Sequence, residues 1–265
     1  MKVIALLCTF NEEYFIKAAL ENLFNNNILV YLIDNESIDE TVNIAQKYMN
    51  DGLLGIETLP RGIDYNLLTV LERKTTLVNE LEADWFIHAD TDEFLFPLSS
   101  AETLRDALGK VDQENYNAVN FYDYTFFPTK EKPEHFHNNF QETMLWYRAV
   151  VPREFNKIIA WKKQLERVEI ICHNIYFSNL KIYPENFILK HYPILSLSHA
   201  LKKYRFREFD PVEIMEMSWH RKRNDFYKED FEFPSENELK KFSSNQELNN
   251  SEALKDMFSV FKRKQ

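Results

Sequence analysis

Glycine is scarce in this chain, with four occurrences in 265 residues. In an average protein, glycine makes up about 7% of the residues. The four positions, Gly52, Gly55, Gly62 and Gly109, fit neither G-x-G-x-x-G nor G-x-x-x-x-G-K-[ST], and none flanks a serine as G-x-S-x-G requires. A dinucleotide-binding fingerprint, a P-loop and a nucleophile elbow are therefore excluded. If the protein binds phosphate, it does so without a glycine-rich loop.

Cysteine is also scarce, and the chain has no net positive charge. Two cysteines, Cys8 and Cys172, give neither a disulfide framework nor a zinc-binding spacing, and a buried free thiol is commoner than a catalytic pair of Cys172 with His173. The formal net charge of −10 argues against non-specific nucleic-acid binding, which needs a basic surface. The same acidic balance suits a pocket that recruits a divalent cation.

Long uncharged apolar runs are absent as well. The first apolar segment, 3–10, is too short for a signal peptide, and the residues at 11–13 (NEE) do not form a cleavage site. No run approaches the length that spans a bilayer. We therefore expect a cytoplasmic protein without a transmembrane segment, with peripheral contact at the inner membrane surface left open.

The first half of the chain alternates apolar strands with helices. Strands are predicted at 3–9, 28–33, 54–59 and 85–89, and helices at 12–24, 66–82, 101–114 and from a capping box at Ser37–Glu40 onward. This alternation predicts an α/β fold with a mostly parallel sheet and right-handed crossovers. Ligands of such sheets lie at the carboxyl ends of the strands, where Asn11, Asp34 and Asp90–Glu93 are expected to converge.

The second half has a different texture. Strands rich in aromatic residues are predicted at 118–127, 142–147 and 168–173, with mixed or antiparallel pairing. The polar segment 128–140 is a predicted loop, and helical spacing returns from about residue 194. Residues 234–251, rich in Ser, Asn and Glu, predict a mobile linker to a short amphipathic tail.

An acidic pair after the fourth predicted strand is the most informative feature. Asp90 and Asp92 stand one residue apart, so both carboxylates can reach one divalent cation. Mg²⁺ and Mn²⁺ favour such oxygen ligands and share them with phosphate groups. The bound cation would neutralise a diphosphate leaving group. An exposed acidic strand end without a ligand is the alternative.

Two kinds of enzyme use such a D-x-D pair. Phosphatases of the haloacid dehalogenase type carry Thr or Val at the position of Phe94 and place the motif on their first strand, whereas here it follows the fourth. Glycosyltransferases that use nucleotide sugars are the other kind. A metal-dependent phosphatase stays as the alternative.

Further stretches then become informative together. The segments 7–13 (LCTFNEE), 31–41 (YLIDNESIDET), 85–95 (WFIHADTDEFL) and 187–196 (FILKHYPILS), followed by Trp219-His220, occur in this order. Together they resemble the motifs of GT-A fold glycosyltransferases in the broad family-2-like group. The resemblance runs over residues 3–220.

This resemblance implies a Rossmann-like, mostly parallel sheet flanked by helices, with a mixed or antiparallel acceptor-side region and C-terminal helices. It implies a glycosyltransferase domain at 1–232, with a nucleotide-binding half at 1–115 and an acceptor half at 116–232, then a linker and tail at 233–265. The expected reaction moves a sugar from a nucleotide-diphosphate sugar to an acceptor hydroxyl, with inversion and with Mn²⁺ or Mg²⁺. By analogy, the acceptor is a carbohydrate or glycolipid in surface polysaccharide synthesis. A non-catalytic sugar-binding relative is the second alternative.

The resemblance and the positions of the residues in the predicted elements together give roles to individual residues. The nucleotide-binding positions are Asn11, Glu13, Asp34, Arg73 and Asp90. The predicted metal ligands are Asp90, Asp92 and His191; Glu93 is expected to orient Asp92, and His220 to support the site or replace His191.

Several of these roles have alternatives. Asp34 could instead cap the turn that follows it. Arg73 could lie on a solvated helix face, with Lys74 competing for the phosphate. Lys190 and Lys203 could bind the diphosphate as cations.

The base that takes the acceptor's proton is the least defined residue. Candidates are His173, whose ordinary pKa is suitable, Glu142 and Asp123. A structural histidine at a strand end is the alternative for His173. Glycines often precede this histidine in relatives, whereas the segment 170–172 reads Ile-Ile-Cys, so the acceptor side of the site is expected to differ.

Overall fold

The computed structural model describes residues 1–62, 66–135, 139–150, 157–171, 173–205, 210–211, 215 and 231–263. The chain divides into two compact units. The first comprises Met1–Pro60, Leu68–Asp123 and Arg153–Leu189; the second comprises Arg61–Leu67, Tyr124–Pro152 and Lys190–Gln265. The predicted domain boundaries, with a glycosyltransferase domain at 1–232 and a linker and tail at 233–265, stay a prediction.

Strands dominate the element order. The strands and helices are β1 (Val3–Thr9), α1 (Ile16–Asn25), β2 (Leu29–Asp34), α2 (Thr41–Gln46), β3 (Leu53–Thr58), α3 (Leu67–Glu80), β4 (Trp85–Asp90), β5 (Glu93–Phe96), α4 (Leu104–Gln113), β6 (Ala118–Phe126), α5 (Phe140–Thr143), β7 (Trp146–Val150), β8 (Ile158–Lys162), β9 (Glu169–Ile171), β10 (Asn174–Tyr176), β11 (Phe187–His191), α6 (Leu197–Ala200), β12 (Phe231–Glu232), β13 (Lys240–Lys241) and β14 (Lys262–Arg263). Short π- and 3₁₀-helical turns lie at Leu201–Arg205, Glu236–Glu238, Asn245–Glu247 and Met257–Val260.

The first unit is built on a parallel sheet. Its strands lie in the order β3-β2-β1-β4, and all neighbouring pairs are parallel. The sheet continues through β8, which pairs antiparallel with β4, and then through β6, which pairs antiparallel with β8. The predicted α/β class, with a mostly parallel sheet flanked by helices, is confirmed.

Burial explains why these segments fold as they do. Val3 to Leu7 in β1 and Trp85 to Ala89 in β4 are buried throughout, as continuous apolar runs require when helices cover both faces of a sheet. Apolar faces of α1, α3 and α4 supply that cover, with buried residues such as Leu20, Leu77 and Leu108. The buried face of α3 also includes one charged residue, Lys74.

The register places two acidic residues around the end of β1. Thr9 is the partner of Asp34 in β2, and Cys8 is the partner of Asp90 in β4. The carboxyl ends of the three central parallel strands therefore meet at one edge, as predicted.

The predicted capping box at Ser37–Glu40 is wrong. Helix α2 begins at Thr41, and its N-cap residue Glu40 makes no side-chain capping hydrogen bond. The Ser37 hydroxyl instead accepts a hydrogen bond of 2.9 Å from the backbone N–H of Asn11. The sequence pattern predicts that the Ser37 hydroxyl caps the helix. In the structure this hydroxyl binds the backbone of Asn11, which is distant in sequence.

The second unit has its own apolar core. Its buried residues come from widely separated segments: Phe127, Val150, Ile194, Ala200, Tyr204, Phe231, Phe233, Leu239, Met257 and Phe261. Strands β13 and β7 pair antiparallel within it, as do β12 and β14. The segment predicted as a mobile linker thus contributes β13 and the buried Leu239, because its apolar residues pack with those of the predicted tail.

Other boundaries differ locally. The strand predicted at 142–147 lies at 146–150, after the short helix α5. The strand predicted at 168–173 is one arm of the antiparallel hairpin β9–β10. In the described part of the chain, no helix is long and apolar enough to cross a membrane.

Candidate functional site

The turns that follow β1 and β2 are fastened together by Asn11. Its backbone N–H donates to Ser37 Oγ at 2.9 Å, and its Oδ1 accepts from the Ile38 N–H at 2.8 Å. Asn11 has a φ of 54°, a left-handed conformation that asparagine tolerates better than most residues. The two turns are therefore held as one wall at the edge of the sheet.

The next residues extend this connection. The Glu12 N–H donates to Thr41 Oγ1 at 2.8 Å, and the Glu13 N–H donates to Asp39 Oδ2 at 3.2 Å. The Glu13 carboxylate in turn accepts from the Glu40 N–H at 3.4 Å. Glu13 thus helps to connect the two turns.

Asp34 is buried at the end of β2. Its carboxylate oxygens accept from the Ser37 N–H at 3.1 and 3.3 Å. Asp34 therefore caps the turn that follows it, which is the alternative role predicted for this residue. A contact between Asp34 and a nucleoside stays a prediction.

Asp90, at the end of β4, stands among three nitrogen groups. Lys74 Nζ and His88 Nε2 lie 3.9 and 3.8 Å from its Oδ1, and His173 Nδ1 lies 3.9 Å from its Oδ2. The His88 side chain is 4% exposed, whereas those of Asp90 and His173 are 34% and 40% exposed. His88 therefore forms the floor of this cluster, and His173 its solvent-facing side.

Lys74 reaches this cluster from helix α3. It is fully buried, and its ammonium donates to the Ala89 carbonyl at 3.1 Å and lies 3.4 Å from His88 Nδ1. A buried ammonium is costly unless it is paired and hydrogen-bonded. The nearby Asp90 carboxylate supplies the opposite charge.

The surroundings set the protonation of these groups. Burial would raise the pKa of Asp90, but electrostatic interaction with the neighbouring His88, Lys74 and His173 outweighs it and holds that pKa well below its usual range. Burial, reinforced by Lys74, holds the pKa of His88 well below its usual range. Burial also lowers the pKa of Lys74, and Asp90 opposes this. At neutral pH, Asp90 is ionised and His88 is neutral.

A second buried group of charges surrounds Lys157. Its ammonium pairs with the carboxylate of Glu93 and lies 3.8 Å from Asp123 Oδ2, and all three side chains are buried. Burial alone would lower the pKa of Lys157, but Glu93 and Asp123 outweigh it and raise that pKa. Glu93, predicted to orient Asp92, is thus engaged with Lys157.

Metal-ligand atoms come together in the first unit at the Asp90 cluster. One ligand atom each from His88, Asp90 and His173 lie within 4.8 Å of one another. Asp92, the first predicted ligand, is half-buried beside this cluster in sequence but is not a member of it. Its role as a ligand stays a prediction.

Comparison with known families decides the class of the protein. The model of glycosyltransferase family 92 matches residues 28–258, which is most of the chain. The chain belongs to glycosyltransferase family 92. The predicted enzyme class, a glycosyltransferase, is therefore confirmed, and the family is family 92, whereas the sequence motifs resemble the family-2-like group.

Two solved structures illustrate how distant the matches of this family 92 chain are. S. aureus TarS 1-349 in complex with UDP-GlcNAc is 14% identical with a TM-score of 0.43, and the match covers 72% of this chain and 58% of that one. Glucosyl-3-phosphoglycerate synthase from Mycobacterium tuberculosis, in complex with Mn²⁺, UDP and glucosyl-3-phosphoglycerate, is 15% identical with a TM-score of 0.34, covering 46% and 44%. The chain thus spans less than two thirds of either structure. Among curated proteins, none matches it.

The structure of this family 92 glycosyltransferase does not bring Arg73 to Asp90. The Arg73 guanidinium donates to both oxygens of Glu57 at 2.7 and 2.8 Å, and to both oxygens of Glu80 at 3.0 and 2.9 Å. These hydrogen bonds raise the pKa of Arg73. The Arg73 guanidinium, which was predicted to bind phosphate, is therefore already bound to two carboxylates. Lys74, the alternative cation for the phosphate, is the one that lies beside Asp90.

Other predicted residues belong to the second unit. His191 is buried at the end of β11. Glu142 is exposed on α5 and accepts from Asn139 Nδ2 at 3.4 Å. The roles of His191 as a ligand and Glu142 as a base stay predictions.

The predicted cations of the second unit contact aromatic rings. Lys190 Nζ lies 3.9 Å from the centre of the Phe242 ring, and burial lowers its pKa to about 8. Lys203 Nζ lies 5.5 Å from the Tyr204 ring. His220, Trp219 and Cys172 lie outside the described residues.

Sequence reasoning missed His88 and Lys157. A signal for His88 was present: side chains two positions apart on a strand share a face, so His88 had to lie on the same face as Asp90. Lys157 carried no such signal, because it meets Glu93 and Asp123 only through the pairing of β8 with its neighbours.

Proposed function

We propose that this family 92 glycosyltransferase moves a sugar from a nucleotide-diphosphate donor to an acceptor hydroxyl, with Mn²⁺ or Mg²⁺ held at Asp90 and Asp92. The observation that carries the proposal is the position of Asp90. Its ionised carboxylate ends a central parallel strand, beside the turn of Asn11 and across β1 from Asp34. This is the edge at which parallel α/β sheets bind ligands.

The donor's nucleoside is assigned to the fastened turns. Asn11, Glu13 and Asp34 lie in or beside this wall. Their hydrogen bonds with Ser37, Ile38 and Asp39 fix the backbone before any ligand arrives, which reduces the entropy cost of binding. Arg73 has no part in the proposal, because Glu57 and Glu80 hold it.

The donor set fits a hard divalent cation. The nitrogen groups around Asp90 stand 3.8 to 3.9 Å from its carboxylate oxygens, beyond ordinary hydrogen-bond distance, so both oxygens have capacity for another partner. Asp90 and Asp92 offer the carboxylate oxygens that Mn²⁺ and Mg²⁺ favour. A bound cation would neutralise the charge of the diphosphate leaving group.

His173 is the proposed base of an inverting transfer. Its side chain is the most exposed of the cluster, and Asp90 Oδ2 lies 3.9 Å from its Nδ1, so a carboxylate can stabilise the ring after it takes the proton. Asp123 is a poorer candidate because its side chain is buried and its Oδ2 lies 3.8 Å from Lys157 Nζ. Glu142 stays the alternative.

The acceptor is proposed to be a carbohydrate or glycolipid in surface polysaccharide synthesis. The transfer reaction is proposed to take place in the cytoplasm or at the inner membrane surface. The basis is the resemblance of the sequence motifs alone. Non-catalytic sugar binding is the rival proposal.

A thermal-shift screen tests the donor and the metal together. UDP-, GDP-, CMP- and dTDP-sugars are added with and without Mn²⁺, and one nucleotide class is expected to raise the melting temperature more when Mn²⁺ is present. Asp92→Asn should lose the metal-dependent part of the shift. Glu114→Gln, which removes an exposed carboxylate after α4, should keep it.

The outcomes separate the candidate functions. A full metal-dependent shift in Asp92→Asn refutes the ligand assignment. Absence of any shift and of sugar transfer supports the non-catalytic relative. Release of phosphate from a simple phosphomonoester, abolished by Asp90→Asn, supports the phosphatase.

A further inference from the structure

Lys74 is a buried charged residue on an otherwise apolar helix face of the first unit. It projects from the buried face of α3, where every other buried residue is apolar, and it has no solvent exposure. Its contacts are the Ala89 carbonyl at 3.1 Å, His88 Nδ1 at 3.4 Å and Asp90 Oδ1 at 3.9 Å. Leucine or methionine would fill this place at a lower desolvation cost, so the ammonium must provide something that packing does not.

The contact with His88 determines the tautomer of that ring. An ammonium has three donors and no acceptor, so the ring nitrogen that faces it must accept. His88 Nδ1 therefore carries no proton. A neutral imidazole has one donor and one acceptor, so the proton is on Nε2, and Nε2 is the atom that faces Asp90 Oδ1 at 3.8 Å. Lys74 thus turns His88 into a hydrogen-bond donor directed at Asp90.

We propose that Lys74 and His88 are positioning residues that hold the Asp90 carboxylate in place, with His88 acting as a donor and not as a metal ligand. A small movement, or one bridging water, completes the contact of His88 with Asp90. The consequence for sugar transfer rests on the proposed function of Asp90. The hydrogen-bond order, in which Lys74 donates to His88 and His88 donates to Asp90, does not rest on that function.

The same geometry argues against a metal ion bound by both histidines. His88, Asp90 and His173 have ligand atoms close enough to share an ion. However, a metal on His88 Nε2 needs the lone pair of that nitrogen. The proton would then sit on Nδ1 and point at the ammonium of Lys74, which cannot accept it.

His173 completes the arrangement from the other side of the carboxylate. Its ring meets the His88 ring edge-on, with 5.7 Å between the ring centres, and its Nδ1 faces Asp90 Oδ2. The two carboxylate oxygens of Asp90 therefore face different imidazole rings: Oδ1 faces His88, and Oδ2 faces His173. His88 is the buried, fixed partner, and His173 is the one that solvent and substrate can reach.

Histidine ¹⁵N NMR tests the hydrogen-bond order without reference to activity. The protein is labelled with ¹⁵N-histidine, and the His88 signals are assigned by their loss in His88→Gln. We expect a neutral ring with the proton on Nε2 in the unmodified protein, and loss of this fixed tautomer in Lys74→Met. A ring protonated on Nδ1, or an unchanged ring in a folded Lys74→Met variant, overturns the proposal.

Zinc provides the direct test of the rival metal site, because imidazole nitrogens favour it. On titration with Zn²⁺, the His88 Nε2 signal is expected to keep its protonated position. A shift of that signal to a metal-bound position shows that His88 is a ligand and overturns the proposal.

Kinetic variants test the consequence for Asp90. Glutamine can place an N–H near the position of Nε2, so His88→Gln is expected to retain most of the Mn²⁺ affinity and activity, whereas His88→Leu should lose about 10- to 100-fold. The loss should appear in Mn²⁺ affinity and in the KM of the donor. Equal losses in both variants overturn the positioning role. If the unmodified protein transfers no sugar while the tautomer is as expected, the proposed function fails and the hydrogen-bond order stands.

Discussion

The Oδ1 atom of Asn11 accepts a hydrogen bond of 2.8 Å from the backbone N–H of Ile38, 27 residues further along the chain. The backbone of Asn11 in turn donates to the neighbouring Ser37. These reciprocal contacts join the turns after two parallel strands. A single asparagine therefore links the first strand to the turn after Asp34.

Replacing Asn11 separates the side chain's contribution from that of the backbone. Asn11→Gly keeps the left-handed φ and removes the hydrogen bond to Ile38, so we expect the free energy of unfolding to fall by about 1 kcal/mol. Asn11→Ala should cost more, because alanine disfavours a positive φ. Urea denaturation measures both. Asn115→Gly, at another left-handed asparagine, is the control and should be nearly neutral; a loss there equal to that of Asn11→Gly would contradict the assigned bond.

Removing Lys157 is expected to expose the cost of two buried carboxylates. In Lys157→Met, Glu93 and Asp123 lose the cation between them, and we expect a loss of about 3–5 kcal/mol in the free energy of unfolding. Lys162→Met, at the end of β8, breaks a more exposed pair with Asp112 and should cost at most about 1 kcal/mol.

A compensating variant makes the prediction for Lys157 sharper. Adding Glu93→Gln and Asp123→Asn to Lys157→Met removes the unpaired charges and should recover much of the lost stability. Chemical denaturation of the single and triple variants gives the comparison. A triple variant less stable than Lys157→Met would show that unpaired charge is not the cause.

Arg73 is expected to serve the fold. Arg73→Gln loses the paired hydrogen bonds to Glu57 and Glu80, at an expected cost of about 1–2 kcal/mol, between values for exposed and buried pairs. Nucleotide affinity, measured by calorimetry with UDP and Mn²⁺, should change little. A folded variant that keeps its stability but loses more than tenfold in affinity would restore the predicted contact with phosphate.

Cys8 is expected to react slowly with alkylating reagents. Burial is the main reason why the pKa of its thiol rises to about 12, and the thiolate is the reactive form. In a Cys172→Ser background, iodoacetamide at pH 8 should modify the folded protein about a thousandfold more slowly than a free thiol of ordinary pKa. Because the folded pKa is raised, the rate should keep increasing with pH beyond pH 9. A plateau near pH 9, or rapid labelling without urea, would contradict this.

Much of the first unit could be predicted because its signals are local. The apolar runs at 3–9 and 85–89 match β1 and β4 to within one residue, since a strand covered on both faces must be apolar throughout. Their alternation with helices requires a parallel sheet, and this brings Asp34 and Asp90 to one edge. The motifs at these strand ends were also sufficient to predict a glycosyltransferase.

The second unit could not be predicted as well. The composition of 234–251 resembles a linker, yet Leu239 is buried with Met257 and Phe261. A few apolar residues are enough to anchor a segment in the core when they pack against apolar residues of distant segments. The local composition of a segment does not reveal such long-range contacts.

The sequence by itself determined the order of strands and helices in the first unit, the edge at which polar residues gather, and the class of enzyme. Only the tertiary structure decided the partners of the charged groups. Lys74 and Arg73 are adjacent on one helix, but the first points into the sheet toward His88 and Asp90, while the second pairs with Glu57 and Glu80. Neighbouring positions on a helix point about 100° apart, and packing, which depends on every element around the helix, decides which of the two meets the site.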